Sequence, residues 1–448
     1  MGGVALLARE LGHEVTGTDA GAWPPMSDLL AEAGIPVREG YSEAHLLDGA
    51  GVPDEVLVGN ALSRGNEAVE AVLNRGLAYT SGPAWLAREV LGGRRVLAVG
   101  GTHGKTTTAA ACAWILERTG RAPGWLIGGA PGWSRESARL GQGDAFVVEG
   151  DEYDTAFFDK RAKLVHYRPH VLILNNLEYD HADIYPDIGS IAQQFHHAVR
   201  TVPGNGRILV HAGDPELEAV LERGCWSPVE RFGTGPEADW RHEGAAGRME
   251  VHRGGRRVGA ITAPLAGEHN RTNLLAAIAG AVTLGVPAEE ALAAAEQFPG
   301  VRRRLEHRGT VAGIAVIDDF AHHPTAIRAT CQALTEAPGA GGGRLLGVVE
   351  PRSNTMRMGV HHDQLADALS GFDHAFVLEP GDAGPGTSVS EALTPLGDRA
   401  TVRTGVEDLL AAVLEVARPG DRVVVMSNGG FEGFHDRLLQ ALEAREAG

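Results

Sequence analysis

The stretch Val96-Leu97-Ala98-Val99-Gly100-Gly101-Thr102-His103-Gly104-Lys105-Thr106-Thr107-Thr108 decides the fold. Its first four residues are an apolar run of the buried-strand type, and the segment that follows, Ala109–Glu117, has the composition of a helix. Strand, glycine-rich turn and helix, with Lys-Thr at the junction, is the context in which a backbone loop cradles phosphate. The glycines let N–H groups point at phosphate oxygens, and the helix N-terminus adds a positive end. Lys105 is then placed to reach β- and γ-phosphates, and the Thr106 hydroxyl to ligate Mg²⁺. A six-residue spacing would need glycine at position 99, where valine stands, so the loop is the shorter Gly-x-x-Gly-Lys-Thr form. An ordinary glycine-rich turn is the plainer alternative, and the three features together weigh against it.

Two polar runs follow this loop in the sequence. A strand ending in Glu149 leads into Gly150-Asp151-Glu152-Tyr153-Asp154, and Leu172-Ile173-Leu174 leads into Asn175-Asn176-Leu177-Glu178-Tyr179-Asp180-His181-Ala182-Asp183. Ligands of open α/β sheets sit beyond the carboxyl ends of strands, which is where both runs fall. Carboxylate and imidazole beside a terminal phosphate can hold Mg²⁺. Two solvated acidic loops are the alternative, outweighed once a phosphate loop is present. His196 and His197, in a helical pattern, are expected at the surface.

Strand-type runs alternate with Ala- and Leu-rich helical stretches almost throughout the chain, which argues for α/β architecture with parallel sheets. At roughly 100–200 residues per domain, 448 residues make about three such units. The expected divisions are residues 1–90, 91–303 and 304–448. His13–Thr18 and Glu55–Val58 are strands of the first, and Asn66–Leu73 one of its helices. Arg241–Arg257 reads as a hairpin-rich excursion in the second, and Pro338–Gly343 as a flexible loop in the third. The chain carries 40 Lys and Arg against 58 Asp and Glu, a formal charge of −18. Such a surface repels nucleic acid and anionic membranes, so neither is an expected partner. Glycine, at 61 residues, is about twice as frequent as the usual ~7%. No apolar run approaches the ~20 residues of a membrane span, and the first residues lack the pattern of a signal peptide. Cys112, Cys225 and Cys331 are odd in number and far apart, which fits a reducing cytoplasm with neither disulfides nor a zinc site.

These residues resemble the ATP-dependent Mur ligases of peptidoglycan metabolism. The resemblance rests on Gly101-Thr102-His103-Gly104-Lys105-Thr106, on Glu149 and on Asn176 through His181. Three further segments fit in order: Gly267-Glu268-His269-Asn270-Arg271-Thr272-Asn273, Gly300 through Glu306, and Asp318-Asp319-Phe320-Ala321-His322-His323-Pro324. It implies a Rossmann-like N-terminal domain binding UDP-N-acetylmuramate, a P-loop-type central ATPase domain, and a Rossmann-like C-terminal domain for the amine substrate. Thr155 through Lys163, His166-Tyr167-Arg168-Pro169, Glu350 through Met356 and Met426 through Phe431 resemble the members that use the recycled tripeptide L-alanyl-γ-D-glutamyl-meso-diaminopimelate. The His-His-Pro run resembles the members that add L-alanine. A nucleotide-binding protein without ligase activity is the reading from another class.

The roles implied are these. Lys105 contacts the β/γ-phosphates within the Gly101, Thr102, His103, Gly104 and Thr106 loop. Thr106 and Glu149 hold Mg²⁺, with His181 at a second metal or at the acyl phosphate. Asn270 and Asn273 stand on the adenine side, Asp319 on the ribose and Arg304 near the γ-phosphate. His322 orients or deprotonates the amine, or else His322 and His323 are loop structure. In the third domain Arg352 offers a fork for the peptide carboxylate, with Ser353 and Asn354 supplying hydrogen bonds. Arg302–Arg304 could instead be a solvated charge run, and the Arg352 loop could merely pack on its sheet. No lysine lies between His181 and Pro203, so the carbamylated lysine of several Mur ligases is not expected. No obligate protein partner is implied, and Phe298–Glu306 is the candidate hinge.

At the N-terminus, Met1-Gly2-Gly3 leads straight into the helical Val4–Leu11. The strand His13–Thr18 ends at Asp19, a candidate ribose or uridine contact. A Rossmann-like unit opens with a strand before its glycine turn. The expectation is therefore that this first strand is absent and that Met1 is an internal methionine of a longer natural protein.

Overall fold

A computed structural model describes residues 1–24, 26–47, 51–245, 247–337, 342–379, 381 and 388–447. Residues 338–341 of the expected loop Pro338–Gly343 lie outside them.

The strand Arg95–Gly100 is an interior strand of the largest sheet among the described residues. Its residues Val96–Gly100 are all buried, Val99 included, because both faces of a parallel strand are covered by helices. It lies between two parallel neighbours, Ala145–Glu149 on one side and Val171–Leu174 on the other. The full sheet has ten strands. It continues in parallel through Arg207–His211, Val229–Gly233 and Trp240–Glu243, then antiparallel through Arg248–Arg253 and Arg256–Thr262. These last strands are the hairpin excursion read from the sequence. The opposite edge is formed by Gly124–Leu126, parallel, and Ala138–Arg139, antiparallel.

Helix Lys105–Arg118 leaves the loop and packs against helix Glu268–Thr283. Both are rich in alanine, with Ala109–Ala111, Ala113, Ala276, Ala277 and Ala279 fully buried, so the backbones approach closely. One apolar cluster on this face joins Leu97, Val99, Ile115, Ile173 and Ile278; another, on the opposite face, joins Val96, Phe146, Leu172 and Phe195.

The C-terminal unit has a six-stranded sheet in the order Glu306–Val311, Ile314–Asp319, Arg422–Met426, Leu345–Val349, His374–Leu378, Ala400–Arg403. Only the first pair is antiparallel. The segment leading into it is pinned by Gly132 N donating to Gly300 O at 3.0 Å and Arg302 N to Ala130 O at 3.1 Å. Arg303 and Leu305 adopt φ of +59° and +52°, so the chain turns sharply where the candidate hinge was read.

The first unit departs from the sequence reading in one strand. Only Gly17–Asp19 pairs, in parallel with Val37–Glu39, while residues 13–16 form no ladder. Within residues 13–16, Val15 packs against an apolar cluster and His13 meets its Trp85 edge-on, but neither contact supplies a ladder partner. Val56–Val58 pairs separately with Tyr79–Ser81, so this unit has two small parallel sheets among the described residues. His196 is a second correction. It is buried, 3.3 Å from Val220 O and near the Trp226 ring, because it continues the face of its helix that Phe195 and Val199 bury. Among the described residues no helix is long and apolar enough to cross a membrane.

Candidate active site

The carboxyl ends of the three central strands converge. Gly100 opens the loop, Glu149 ends one neighbour, and Asn175 and Asn176 follow the other. The loop is knitted to the last of these. His103 N donates to Asn176 Oδ1 at 2.7 Å, and the Asn176 amide donates to His103 O at 3.2 Å. Thr102 N donates to Asn176 O at 3.2 Å, and Glu178 N to Thr102 Oγ1 at 2.9 Å. Gly104 caps the helix at φ +77°, and a Cβ there would lie 2.4 Å from Asn273 Oδ1, so both conformation and space require glycine.

Lys105 turns back over the loop. Its ammonium donates to Gly101 O at 2.6 Å and to both oxygens of Glu152, at 2.9 and 2.7 Å. His181 Nε2 lies 2.8 Å from Glu152 Oε1, and the Tyr185 hydroxyl donates to Glu152 O at 2.5 Å. Burial works against the charge on both Lys105 and His181, but the carboxylates around them, Glu152 with Asp151 for the lysine and Glu152 with Asp180 for the histidine, together raise both pKa values. Beside this trio, Thr106 Oγ1 donates to Glu149 Oε1 at 2.9 Å, and Gly128 N donates to Glu149 Oε2 at 2.7 Å. The oxygens and imidazole nitrogen of Asp151, Glu152 and His181 stand close enough together to hold a metal ion.

The sequence-read residues fall into three places. Gly101, Thr102, His103, Gly104, Lys105, Thr106, Glu149 and His181 form the cluster just described. Asn273 borders it at Gly104, while Asn270 donates to Ala266 O at 2.8 Å and lines a shallow depression with Thr107, Leu265 and Phe298. The second place is around the candidate hinge. The Arg304 guanidinium lies 4.7 Å from the Phe320 ring centre; burial lowers its pKa, with Asp319 and Glu149 acting in the other direction. Asp319 is buried, and its oxygens accept from Leu305 N, Ala321 N and Thr330 Oγ1 at 2.8, 2.9 and 3.0 Å. In this structure its carboxylate therefore ties Leu305, at the end of the candidate hinge, to residues 319–330. His322 Nδ1 lies 3.0 Å from Phe320 O, and burial pushes its pKa down to about 4. His323 caps the helix Pro324–Glu336 by accepting from Thr325 N at 3.3 Å, which is loop structure.

The third place is the rim. Arg352 is exposed beyond strand Leu345–Val349, its guanidinium against Gly429, where a Cβ would lie 2.2 Å from it. Ser353 caps a short helix by accepting from Met356 N at 3.3 Å, and Asn354 donates to Asp183 Oδ2 at 2.8 Å. Asp19 stands apart in the first unit, exposed, beside a hollow of about 790 Å³ that Trp23, Ser27, Ile35 and Arg38 also line.

Residues that sequence reasoning did not single out complete the assembly. Glu152 is the hub between Lys105 and His181. Asn175 donates to Thr108 Oγ1 at 3.0 Å under the loop. Glu178 accepts from Thr325 Oγ1 at 2.7 Å, and Thr355 donates to Asp180 Oδ1 at 2.6 Å. Glu152 had a signal, its place beyond a strand end. Thr355 had none.

Known proteins resemble this chain in sequence and in fold. Residues 1–92 match the Mur ligase family catalytic domain, 99–281 the Mur ligase middle domain and 303–429 the Mur ligase glutamate ligase domain. The UDP-N-acetylmuramate--L-alanyl-γ-D-glutamyl-meso-2,6-diaminoheptandioate ligase of Escherichia coli strain K12 is 50% identical over 445 residues, covering 99% of this chain and 96% of its own. A UDP-N-acetylmuramate--L-alanine ligase of Acidothermus cellulolyticus is 35% identical over 448 residues, covering 96% and 90%. The crystal structure of a murein peptide ligase from Psychrobacter arcticus 273-4 superposes with a TM-score of 0.75 at 42% identity, covering 99% and 96%.

Proposed function

The chain belongs to the Mur ligase family, and from that premise we propose that it joins UDP-N-acetylmuramate to L-alanyl-γ-D-glutamyl-meso-diaminopimelate in peptidoglycan recycling. Members of this family are ATP-dependent amide-bond ligases. The choice of amine rests on the activity named for the half-identical relative.

The chemistry is phosphorylation of the lactyl carboxylate by ATP, followed by attack of the peptide's α-amine on the acyl phosphate and release of inorganic phosphate. Negative charge gathers in both steps, so preorganised cations and N–H groups carry most of the catalysis. Lys105 exchanges its hold on Glu152 for the β/γ-phosphates. The backbone of residues 101–106, opening a helix, binds phosphate oxygens. Asn270 and Asn273 face the base. Arg304, whose charge Asp319 and Glu149 favour, serves the γ-phosphate.

The donors at the loop suit Mg²⁺, since the Thr106 hydroxyl and Glu149 carboxylate are hard oxygens 2.9 Å apart. Thr106 and Glu149 would hold one ion, and Glu152 with His181 the second position. Bound there, Mg²⁺ neutralises charge on the phosphates. His322 is neutral at physiological pH, so its imidazole is free to accept a hydrogen bond from the incoming amine. Arg352, exposed on the rim, receives the diaminopimelate carboxylate. Asp19 and its hollow face the uridine nucleotide.

Incubation with ATP, Mg²⁺ and UDP-N-acetylmuramate, followed by the tripeptide or L-alanine, tests the reading by the mass of the product. A tripeptide adduct with release of ADP is expected. An L-alanine adduct at higher kcat/KM would transfer the chain to the alanine-adding members, and no adduct with either amine would favour a non-catalytic nucleotide-binding role.

A further inference from the structure

The loop of residues 175–183 is held from two sides. Asn175 and Asn176 grip the phosphate loop, whereas residues 178–183 are gripped by the C-terminal unit. Thr325 donates to Glu178, Asn354 to Asp183, and the His361 imidazole lies 2.9 Å from Tyr179 O. Thr355 differs from these in touching both neighbours of His181. Its hydroxyl donates to Asp180 Oδ1 at 2.6 Å and accepts from Ala182 N at 3.2 Å. Asp180 Oδ1 in turn accepts the N–H of His181 at 2.7 Å.

His181 needs such support. It sits at φ +57°, the left-handed region that a residue with a Cβ avoids, and strain of that kind persists only where its surroundings over-determine it. Thr355 is 1% exposed and Asp180 5%, so their hydrogen bond is shielded from water. A hydroxyl bonded to a buried carboxylate is among the stronger neutral-to-charged contacts. It joins residues 175 positions apart, on two different domains.

We propose that Thr355 is a positioning residue for His181. When the C-terminal unit docks on the central one, this hydroxyl fixes the strained turn that aims the imidazole at Glu152, and through Glu152 fixes Lys105. Because Thr355 follows Arg352, Ser353 and Asn354 directly, the turn expected to meet the peptide is also the turn that sets His181. This second point rests on the proposed function; the first stands on the hydrogen bonds alone.

The test uses Thr355→Val, which keeps the shape and removes the hydroxyl, and Thr355→Ser, which keeps the hydroxyl. Thr355→Ala replaces the valine variant should that one fail to fold. Two readouts are taken on the full chain: steady-state kinetics with the tripeptide, and the imidazole resonances of ¹⁵N-histidine protein, with His181 assigned through His181→Gln. Removing the hydroxyl should lower kcat on the order of ten- to hundred-fold, the factor expected for a lost hydrogen bond to a buried carboxylate. The KM for UDP-N-acetylmuramate should stay within about twofold, since no residue of that site is altered. The His181 resonance should move in the valine variant, and the serine variant should restore both. An unmoved His181 resonance overturns the proposal, whether or not turnover falls, and so does a serine variant as impaired as valine. Should wild-type protein ligate no amine, the functional reading fails, and the resonance still decides this proposal.

Discussion

Lys105 Nζ lies 2.7 Å from Glu152 Oε2, so the cation of the phosphate loop is paired, in a largely buried setting, with a carboxylate from the neighbouring strand's loop. The pair keeps the cation in place in a chain of net charge −18. The attraction is local, built at one strand end, and its counter-charge is already inside. In the proposed chemistry the ammonium gives up Glu152 when phosphate arrives, and the carboxylate keeps the His181 imidazole, 2.8 Å away, as its partner.

Lys105→Ala should abolish ligation, by at least about 10³-fold, the scale on which transition-state cations act. Affinity for UDP-N-acetylmuramate should stay within about twofold, because that ligand's proposed site is in the first unit. Calorimetric titration with the nucleotide sugar, next to a product assay, checks both. Turnover near the wild-type rate would sink the phosphate-loop assignment.

Gly104→Ala should be nearly as damaging without removing any functional group. The φ of +77° disfavours a Cβ, and the Cβ would stand 2.4 Å from Asn273 Oδ1. The strain alone costs roughly 1–2 kcal/mol, and relief requires Asn273 or the loop to move. The expected result is a lower thermal midpoint together with a KM for ATP raised at least tenfold. An unchanged KM for ATP would show that the loop backbone does not meet the nucleotide.

Arg352→Ala should raise the KM for tripeptide about ten- to hundred-fold, the loss of a charge-assisted carboxylate contact. Its exposure makes a folding effect small, so the thermal midpoint should hold. The KM for ATP should move less than twofold. Equal rises for both substrates in initial-rate measurements would assign the arginine to structure.

What could be read from the sequence depended on range. The strand Arg95–Gly100, its loop and its helix are contiguous, and the apolar run, the glycines and the alanine helix each carry their own signal. Strand ends such as Glu149, Asn175 and Asp319 could be placed for the same reason, since apolar runs stop where polar ones begin. Of His13–Thr18 only Gly17 and Thr18 pair, because a strand needs a neighbour and residues 13–16 find none. His196 failed because two adjacent histidines on a helix differ by 100° in direction, and only the packing decides which one turns inward. Glu152 and Thr355 are the instructive cases. One was visible as a carboxylate in a polar run but not as the hub. The other is a threonine among polar residues whose partner, Asp180, arrives from another domain.

The pH dependence of stability should carry the mark of His322. Burial pushes its pKa down to about 4, below the ordinary 6.5, so the folded state holds the imidazole neutral while the unfolded chain titrates normally. As pH falls through 6.5 the unfolded chain takes up a proton that the folded one refuses until about 4, and acid therefore favours unfolding. The contribution is fully present above about pH 7 and is lost progressively between 6.5 and 4. His322→Gln removes the titration. Urea midpoints of wild type and variant should differ by a constant amount above pH 7, and the difference should shift against the wild type by pH 5. The same neutrality should leave the acid limb of kcat free of a His322 step near pH 6.5. If wild type and His322→Gln kept a constant difference in midpoint from pH 8 to pH 5, the imidazole would be titrating as an exposed one, and its assignment as a neutral acceptor for the amine would fall.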